Sequence, residues 1–221
     1  MRANTMTEAL KTKTFHILPA QGLPGEALRE LAQAVREMKV LAFPTDTVYG
    51  LGCTALIKAA LRRIYEIKRR DSMKPLPILV HSVEEARRWA EFTPEAAALA
   101  DRFWPGPLTL ALTPTREGRM LTFAEYPTLA LRIPSHELLR ALIEASAVPW
   151  ASTSANLSGR PSLTEGPQVS AEFEGLVDYI LDAGACPGGV ESTVVDASRG
   201  VRILREGALT RMDVEEALKT R

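Results

Sequence analysis

Short apolar runs and helix-patterned segments alternate along almost the whole chain of 221 residues. Apolar residues recur at helical spacing in residues 25–39, 56–67, 94–103, 136–145 and 212–219, and a further helix is expected from Ser82, which Glu85 follows at capping-box spacing. Brief apolar runs typical of buried strands occupy residues 40–43, 78–80, 108–112, 129–133, 149–152, 179–181, 193–195 and 201–204. This alternation predicts an α/β fold, a twisted mixed sheet with helices packed on its faces.

The length fits one domain, and no repeat, low-complexity tract or linker divides the chain. Residues 1–14 mix charged residues with threonines and are expected to form a flexible N-terminus, which places the domain at residues 15–221. The first 16 residues lack the apolar centre of a signal peptide. No apolar run approaches the length of about 18 residues that a membrane span needs. A cytoplasmic location without membrane contact is the expectation.

The charge balance limits which partners the protein can favour. Lysine plus arginine and aspartate plus glutamate number 27 each, so the formal net charge is zero. That balance argues against a protein that mainly coats nucleic acid or an acidic membrane, although it leaves room for a local basic pocket. Two cysteines, Cys53 and Cys186, are too few for a disulfide framework or a structural zinc site. One bridge remains open as an alternative, but a reduced pair suits a cytosolic protein better.

Common catalytic signatures are missing from the sequence. It contains no phosphate-binding loop of the G-x-x-x-x-G-K-[ST] type, no G-x-G-x-x-G, no H-E-x-x-H and no G-x-S-x-G. The three histidines, His16, His81 and His136, are scattered and form no metal-spaced cluster. These absences do not favour a hydrolase with an activated nucleophile or a metalloenzyme.

A recurring feature is an apolar strand that ends in a loop of small polar residues. Three segments have this form: residues 43–47 (FPTDT), 151–156 (ASTSAN) and 189–193 (GVEST). In α/β sheets, ligands bind where strand ends meet such loops, and hydroxyls and amides suit a small polar ligand. Alternatively, these residues only make turns and caps.

Basic residues lie at the ends of several predicted elements. Lys68, Arg69 and Arg70 follow a helix with Lys74 close behind, and Arg132 and Arg205 end strands. Such cations can line a pocket for an anion, of which a triphosphate is the obvious candidate. The alternative for residues 68–70 is a solvated surface run, and for Arg132 a half-buried ion pair.

Taken together, the motifs resemble the YrdC-like threonylcarbamoyl-AMP synthase family. The resemblance lies in residues 43–51 (FPTDTVYGL), 64–70 (IYEIKRR), 74–76 (KPL), 104–109 (WPGPLT), 131–134 (LRIP), 152–159 (STSANLSG), 191–195 (ESTVV) and 203–205 (ILR). Each motif alone is modest, but the eight occur in order over residues 24–212. The resemblance therefore covers nearly the whole chain and implies the YrdC-like fold.

The resemblance implies an enzyme, a nucleotidyltransferase that makes L-threonylcarbamoyladenylate and pyrophosphate from L-threonine, bicarbonate and ATP. This is the first step toward N6-threonylcarbamoyladenosine in tRNA. A carbamate formed from threonine is itself the nucleophile, so catalysis needs positioning and charge neutralisation rather than a nucleophilic side chain. ATP is a substrate, and Mg²⁺ is expected to arrive on its triphosphate, with no metal site in the protein. Downstream, a tRNA-modifying transferase complex is the expected partner, and weak tRNA binding by this chain is left open.

By the same resemblance, particular residues receive roles. The family's K-x-R and S-x-N motifs fall on catalytic residues Lys68, Arg70, Ser154 and Asn156. The threonine-binding set would be Thr47, Arg132, Ser152 and Ser192, with Arg132 as partner of the carboxylate. The ATP-binding set would be Arg70, Lys74, Thr128, Ser154, Ser162 and Arg205.

The sequence departs from the family pattern at three places. The family commonly has glycine where Arg69 stands. Some relatives have a threonine-contacting histidine near residue 79, where this chain has Leu79 and, two residues on, His81. The chain ends at Arg221, which indicates the short form that lacks a C-terminal domain.

Two other functions remain alternatives. One is the carbamoyl-adenylate-forming reaction of hydrogenase-maturation proteins, which would use carbamoyl phosphate. The other is an RNA-binding module, for which a salt titration of tRNA binding is the discriminating measurement.

Overall fold

The computed structural model describes residues 10–17, 23–69, 74–121 and 126–219. The strands are β1 (Lys13–His16), β2 (Leu41–Phe43), β3 (Gly50–Thr54), β4 (Ile78–Leu79), β5 (Ala90–Glu91), β6 (Leu108–Pro114), β7 (Leu129–Arg132), β8 (Trp150–Ser154), β9 (Tyr179–Asp182), β10 (Thr193–Asp196) and β11 (Arg202–Arg205). The α-helices are α1 (Gly25–Arg36), α2 (Lys58–Lys68), α3 (Val83–Trp89), α4 (Pro94–Phe103), α5 (Glu137–Ser146), α6 (Gly166–Phe173) and α7 (Arg211–Lys219), with a 3₁₀ helix at Gly118–Leu121.

Ten of the strands form one mixed sheet in the order β1-β9-β2-β3-β8-β4-β7-β6-β10-β11, and β5 pairs with β6 beside it. Four neighbouring pairs are parallel: β1 with β9, β9 with β2, β4 with β7, and β6 with β10. The other pairs are antiparallel. The predicted α/β architecture with a mixed sheet is confirmed.

One face of the sheet carries the larger hydrophobic core. Alternate residues of the central strands, including Leu51, Ile78, Leu110 and Leu131, are buried there. Since side chains alternate along a strand, their neighbours point to the opposite face. Apolar positions of α2, α4 and α7 pack on the first face, which is why these helices show one apolar side in the sequence.

The opposite face is covered over only part of its width. A second cluster contains Phe43, Leu79 and Trp150 from the strands, with Leu31 of α1 and Leu142 of α5 packed over them. Farther along the sheet the same face carries small or polar residues instead: Thr109, Ala111, Ala130, Arg132, Ser152, Ser154 and Val194. These residues line an open cleft, so the site lies where helices α1 and α5 leave the sheet uncovered.

The predicted helix starts have a visible chemical cause. Ser82 Oγ accepts a hydrogen bond from the Glu85 amide at 3.2 Å, and the Glu85 carboxylate accepts one from the His81 amide at 3.0 Å. Thr93 caps α4 in the same way, with Pro94 at the first turn. In the described part of the chain, no helix combines the length and the apolar character that crossing a membrane would require.

Three features differ from the sequence-based expectations. Lys13 and Thr14, assigned above to a flexible N-terminus, pair with β9, so the sheet begins before the expected boundary at residue 15. Strand β8 continues to Ser154, beyond the predicted end at residue 152, and helix α6 was not predicted. Strand β3 was also missed because Gly50 and Gly52 weaken a strand pattern. A methyl at either glycine would meet the Phe43 ring within 2.8 Å, so close packing explains these glycines.

Candidate functional site

The cleft on the uncovered part of the sheet has a volume of about 540 Å³. Its walls come from the ends of β4, β6, β7, β8, β10 and β11 and from the loops that follow β2 and β8. Of the residues predicted for the site, ten line it: Thr47, Lys68, Lys74, Thr128, Arg132, Ser152, Ser154, Asn156, Ser192 and Arg205. Motifs far apart in sequence therefore meet in one cavity.

Lys68 joins the end of α2 to the loop after β8. Its side chain is 2% exposed, and its Nζ donates to Asn156 Oδ1 at 2.9 Å and to the Ser154 carbonyl. Ser154 Oγ donates to the same Asn156 oxygen at 2.7 Å, and Asn156 Nδ2 is held by the Arg160 carbonyl at 2.6 Å. Three of the four predicted catalytic residues thus form one hydrogen-bonded network. The fourth, Arg70, lies outside the described residues.

Arg132 ends β7 and is buried at the cleft wall. Its Nε donates to the Gly106 carbonyl at 3.1 Å, Nη1 to Thr47 Oγ1 at 3.1 Å and Nη2 to Asp46 Oδ1 at 2.8 Å. Burial lowers the pKa of Arg132, and the Asp46 carboxylate opposes that change. The ion pair considered from the sequence is therefore present, although it is largely buried and not half-buried, and Arg132 also lines the cleft.

The loop after β2 holds Thr47 in place. Thr45 Oγ1 accepts hydrogen bonds from the amides of Thr47 and Val48 at 3.0 and 3.2 Å, which closes a tight turn. A second loop packs directly on this turn, because a methyl at Gly188 would lie 2.5 Å from the Asp46 carbonyl oxygen. The turn geometry therefore depends on contacts from a distant segment.

The other two predicted threonine contacts lie on β8 and just before β10, two strands that β4, β7 and β6 separate in the sheet. Ser152 is buried on β8 and its amide donates to the Pro77 carbonyl at 2.8 Å. Ser192 precedes β10, and its Oγ lies 2.9 Å from Thr109 Oγ1 of β6. Thr109 is a lining residue that the sequence did not indicate.

Two of the residues predicted for ATP, Ser162 and Arg205, contact the same carboxylate. Glu191 Oε1 accepts a hydrogen bond from Ser162 Oγ at 2.6 Å, and Glu191 Oε2 pairs with Arg205 Nη1. Ser162 is not itself a lining residue, but Glu191 is, so Ser162 reaches the cleft through that contact. Lys74 and Thr128 line the same cavity.

Leu79 and His81, the two residues near the histidine position of some relatives, lie in different surroundings. Leu79 lines the cleft while also packing in the second cluster. His81 is not among the lining residues, and its Nδ1 lies 2.7 Å from Glu85 Oε2. His81 therefore serves the start of α3 in this structure.

Two acidic residues were missed by sequence reasoning although each adjoins a predicted one. Asp46 precedes Thr47, and Glu191 precedes Ser192. Their partners, Arg132 and Arg205, are 86 and 14 residues away in the chain. The sequence did contain a signal for both residues, because each lies in a strand-end motif directly before a residue predicted to contact the ligand.

The cleft offers charge and hydrogen bonds rather than a nucleophile. Among the described residues, neither a histidine nor a cysteine lines it. Both cysteines are unpaired, and burial raises the pKa of Cys53 to about 12 and that of Cys186 to about 11, so both are neutral thiols. The described part of the chain also holds no group of three or more histidine, cysteine, aspartate or glutamate residues placed to bind a metal ion.

Comparisons with known proteins find similar sequences and a similar fold. A profile of the Sua5, YciO and YrdC family, described as telomere recombination, matches residues 33–207. Threonylcarbamoyl-AMP synthase of Pyrococcus abyssi is 42% identical over 193 residues, and the enzyme of the same name from Bacillus subtilis is 40% identical over 195 residues. The crystal structure of P. abyssi Sua5 complexed with L-threonine matches with a TM-score of 0.87 at 40% identity.

The matches cover most of this chain but a smaller share of each relative. The sequence matches cover 86% of this chain but 57% and 56% of the two relatives. The structural match covers 94% of this chain and 61% of the P. abyssi protein. This chain therefore spans little more than half the length of these relatives.

Proposed function

Because this chain belongs to the Sua5/YciO/YrdC family, we propose that it is an L-threonylcarbamoyladenylate synthase. It would convert L-threonine, bicarbonate and ATP into threonylcarbamoyl-AMP, pyrophosphate and water. One observation carries the proposal: residues suited to bind an amino-acid carboxylate and residues suited to bind a polyphosphate line the same cleft. The relatives' names and the L-threonine in the P. abyssi structure support the choice of substrate.

Threonine would be held at the Arg132 end of the predicted set. The guanidinium has five N–H donors, of which three are bonded within the protein, so one donor on each terminal nitrogen remains for a carboxylate. The hydroxyls of Thr47, Ser152 and Ser192 would then take the remaining polar atoms of the amino acid. The threonine amine would combine with bicarbonate and release water. An oxygen of the resulting carbamate, which comes from bicarbonate, would then attack the α-phosphorus of ATP as the bond to pyrophosphate breaks.

The second half of the site would stabilise the charge that moves onto pyrophosphate as it leaves. Lys68, Lys74 and Arg205 would provide positive charge, and the Ser154 hydroxyl would turn from Asn156 to donate to a phosphate oxygen. Catalysis of such a transfer depends mainly on positioning and charge stabilisation, which fits a cleft without a described histidine or cysteine. Arg70 belongs to this proposal by its place in the K-x-R motif alone.

Mg²⁺ would enter as the ATP complex, held by phosphate oxygens, and would neutralise charge on the leaving pyrophosphate. The donor set fits that manner of binding, because Glu191 is the one acidic residue among the described lining residues and is already bonded to Ser162 and Arg205. Transfer of the threonylcarbamoyl group to tRNA would need a separate transferase, since the adenylate is the product of this site.

The test is pyrophosphate release from ATP and Mg²⁺, with threonine and bicarbonate each present or omitted, and with serine or valine in place of threonine. Release is expected only when threonine and bicarbonate are both present. Lys68→Met keeps the buried chain length but removes the charge, and it should lower the rate at least about a hundredfold. Lys58→Met, at the exposed start of the same helix, is the matched control.

Either of two results would count against the proposal. Folded protein that releases no pyrophosphate with any amino acid would exclude the synthase reaction, and carbamoyl phosphate would be tried next. Full activity of Lys68→Met would leave the reaction standing but would show that the catalytic network is assigned wrongly.

A further inference from the structure

Glu191 is a carboxylate that bonds to the same side chains that the proposed function assigns to ATP. Its two oxygens take Ser162 Oγ at 2.6 Å and the Arg205 guanidinium. Ser154 and Lys68 are also close enough to act on it. Within the described cleft, one internal anion thus contacts the hydroxyl and guanidinium groups that a polyphosphate would need.

Glu191 is charged at neutral pH. Partial burial by itself raises the pKa of this carboxyl, but the Ser162 hydrogen bond, the Arg205 charge, the Ser154 hydrogen bond and the Lys68 charge outweigh burial and hold the pKa below its usual range. The Glu191 carboxylate therefore binds these donors with a negative charge, as a phosphate group would.

A phosphate group can replace Glu191 as the partner of Arg205 without exposing the hydrophobic core. The side chains of Glu191 and Arg205 are 33% and 47% exposed, so a phosphate group can reach both from the cleft. Arg205 also has an independent anchor, because its Nη2 donates to the Ser192 carbonyl at 2.8 Å. Release of Glu191 would leave the guanidinium in place, with a donor free for phosphate.

We propose that Glu191 is an internal competitor of the polyphosphate, which lowers the affinity of the cleft for pyrophosphate and so speeds the departure of this product. The inference rests on the proposed function, since it assumes that ATP binds at these donors. ATP can overcome the competition because its base and ribose add contacts, whereas free pyrophosphate has only its charged oxygens. Glu191 thereby helps the site prefer the substrate over its own product.

The competing role for Glu191 is to orient Arg205 and Ser162 for the phosphate. The two roles predict opposite effects of removing Glu191 on the affinity of the cleft for anions. If Glu191 orients the donors, removing it weakens anion binding; if it competes for them, removing it strengthens anion binding. The Arg205 anchor on the Ser192 carbonyl favours competition.

The experiment is calorimetric titration of inorganic pyrophosphate, at constant Mg²⁺ and without threonine, into wild type, Glu191→Ala and Glu191→Gln. Glu191→Ala is expected to bind pyrophosphate about tenfold more tightly, because a charged competitor for two donors is gone. Glu191→Gln should also bind more tightly, since the amide keeps the shape but not the charge. Thermal unfolding establishes that each variant is folded.

Asp196→Asn is the matched control for net charge. Asp196 lies on β10, accepts a hydrogen bond from Ser198 and pairs with Arg202, but it is not a lining residue of the cleft. This variant should bind pyrophosphate within about twofold of wild type, because the partners of Asp196 are Ser198 and Arg202 and not the donors assigned to the phosphate. An equal gain from Asp196→Asn would reduce the Glu191 effect to net charge and would overturn the proposal.

Unchanged or weaker pyrophosphate binding by both Glu191 variants would also overturn it, as would absence of binding to every protein tested. These results are distinct from failure of the proposed function, because the titration contains no threonine and involves no turnover. Pyrophosphate binding that tightens in a protein unable to make threonylcarbamoyl-AMP would support the competition and reject the reaction.

Discussion

Arg132 combines burial with a free edge for a ligand. Its guanidinium is held on three sides by Gly106, Thr47 and Asp46, and two N–H donors remain. Asp46 is held in turn by the Ser135 amide at 3.2 Å and is not a lining residue of the cleft. Asp46 is therefore a positioning residue, which fixes the direction of the Arg132 guanidinium without contacting the ligand itself.

This arrangement predicts different outcomes for two substitutions of Asp46. Asp46→Ala removes the acceptor and should raise the KM for threonine about tenfold, because the guanidinium loses its fixed direction, while the KM for ATP stays unchanged. Asp46→Asn keeps an oxygen at the same place and should remain within about threefold of wild type. Steady-state pyrophosphate release at varied threonine and varied ATP separates the two constants. Equal rises in both constants would indicate general loss of structure instead.

Among the elements, helix α2 ends in an unfavourable backbone conformation next to the predicted catalytic network. Arg69 follows Lys68 at φ 50° and ψ 42°, the left-handed region that favours glycine. Its amide donates to the Glu66 carbonyl at 3.1 Å and closes the helix. The family pattern of glycine at this position now has a structural reason, and this chain accepts an unfavourable conformation there.

Arg69→Gly should therefore increase the free energy of unfolding by about 1 kcal/mol, because the left-handed conformation costs glycine nothing. Arg62→Gly, at an exposed position inside the same helix, should lower it by about 1 kcal/mol. Urea unfolding of the two variants beside wild type measures both effects. A loss of stability in Arg69→Gly would show that the arginine side chain makes a contribution larger than the backbone cost.

At the scale of the whole molecule, the candidate cleft exists because one face of the sheet is only partly covered by helices. Helices α1 and α5 pack over Phe43, Leu79 and Trp150, and the part of the face that they leave uncovered carries polar residues that line the cleft. His136 precedes α5 beside this junction. Burial lowers the pKa of His136, although the nearby Asp46 and Glu137 charges oppose the change, and its Nδ1 has no hydrogen-bond partner among the described residues.

The global stability should therefore depend on pH through His136. The pKa in the folded state is below the value of about 6.5 in the unfolded chain, so the unfolded state binds more protons as the pH falls below that value. The free energy of unfolding should decrease from about pH 6.5 toward pH 5, and His136→Gln should flatten that slope. Urea unfolding at several pH values tests this, and identical slopes for the two proteins would contradict it.

Local chemistry in the sequence determined the elements and the motifs of the site. Helices such as α4 were predictable because an apolar stripe and a Thr-Pro start occur within a few residues of each other. The strand-end motifs were predictable because small polar residues follow short apolar runs. Helix α6 and strand β3 were not, since Pro167 and the glycines of β3 indicate loops unless tertiary packing supports them.

The partners of the site residues were decided only by the tertiary structure. The sequence indicated Arg132 and Arg205 but not that Asp46 would hold the first or Glu191 the second, because each pair depends on how the fold arranges the strands and loops. Glu191 and Arg205 meet because β10 pairs with β11. Since β3, β8 and β4 lie between β2 and β7, Asp46 contacts Arg132 through the loop after β2 and not through strand pairing. Residue types therefore came from the sequence, whereas the charge balance of the cleft came from the fold.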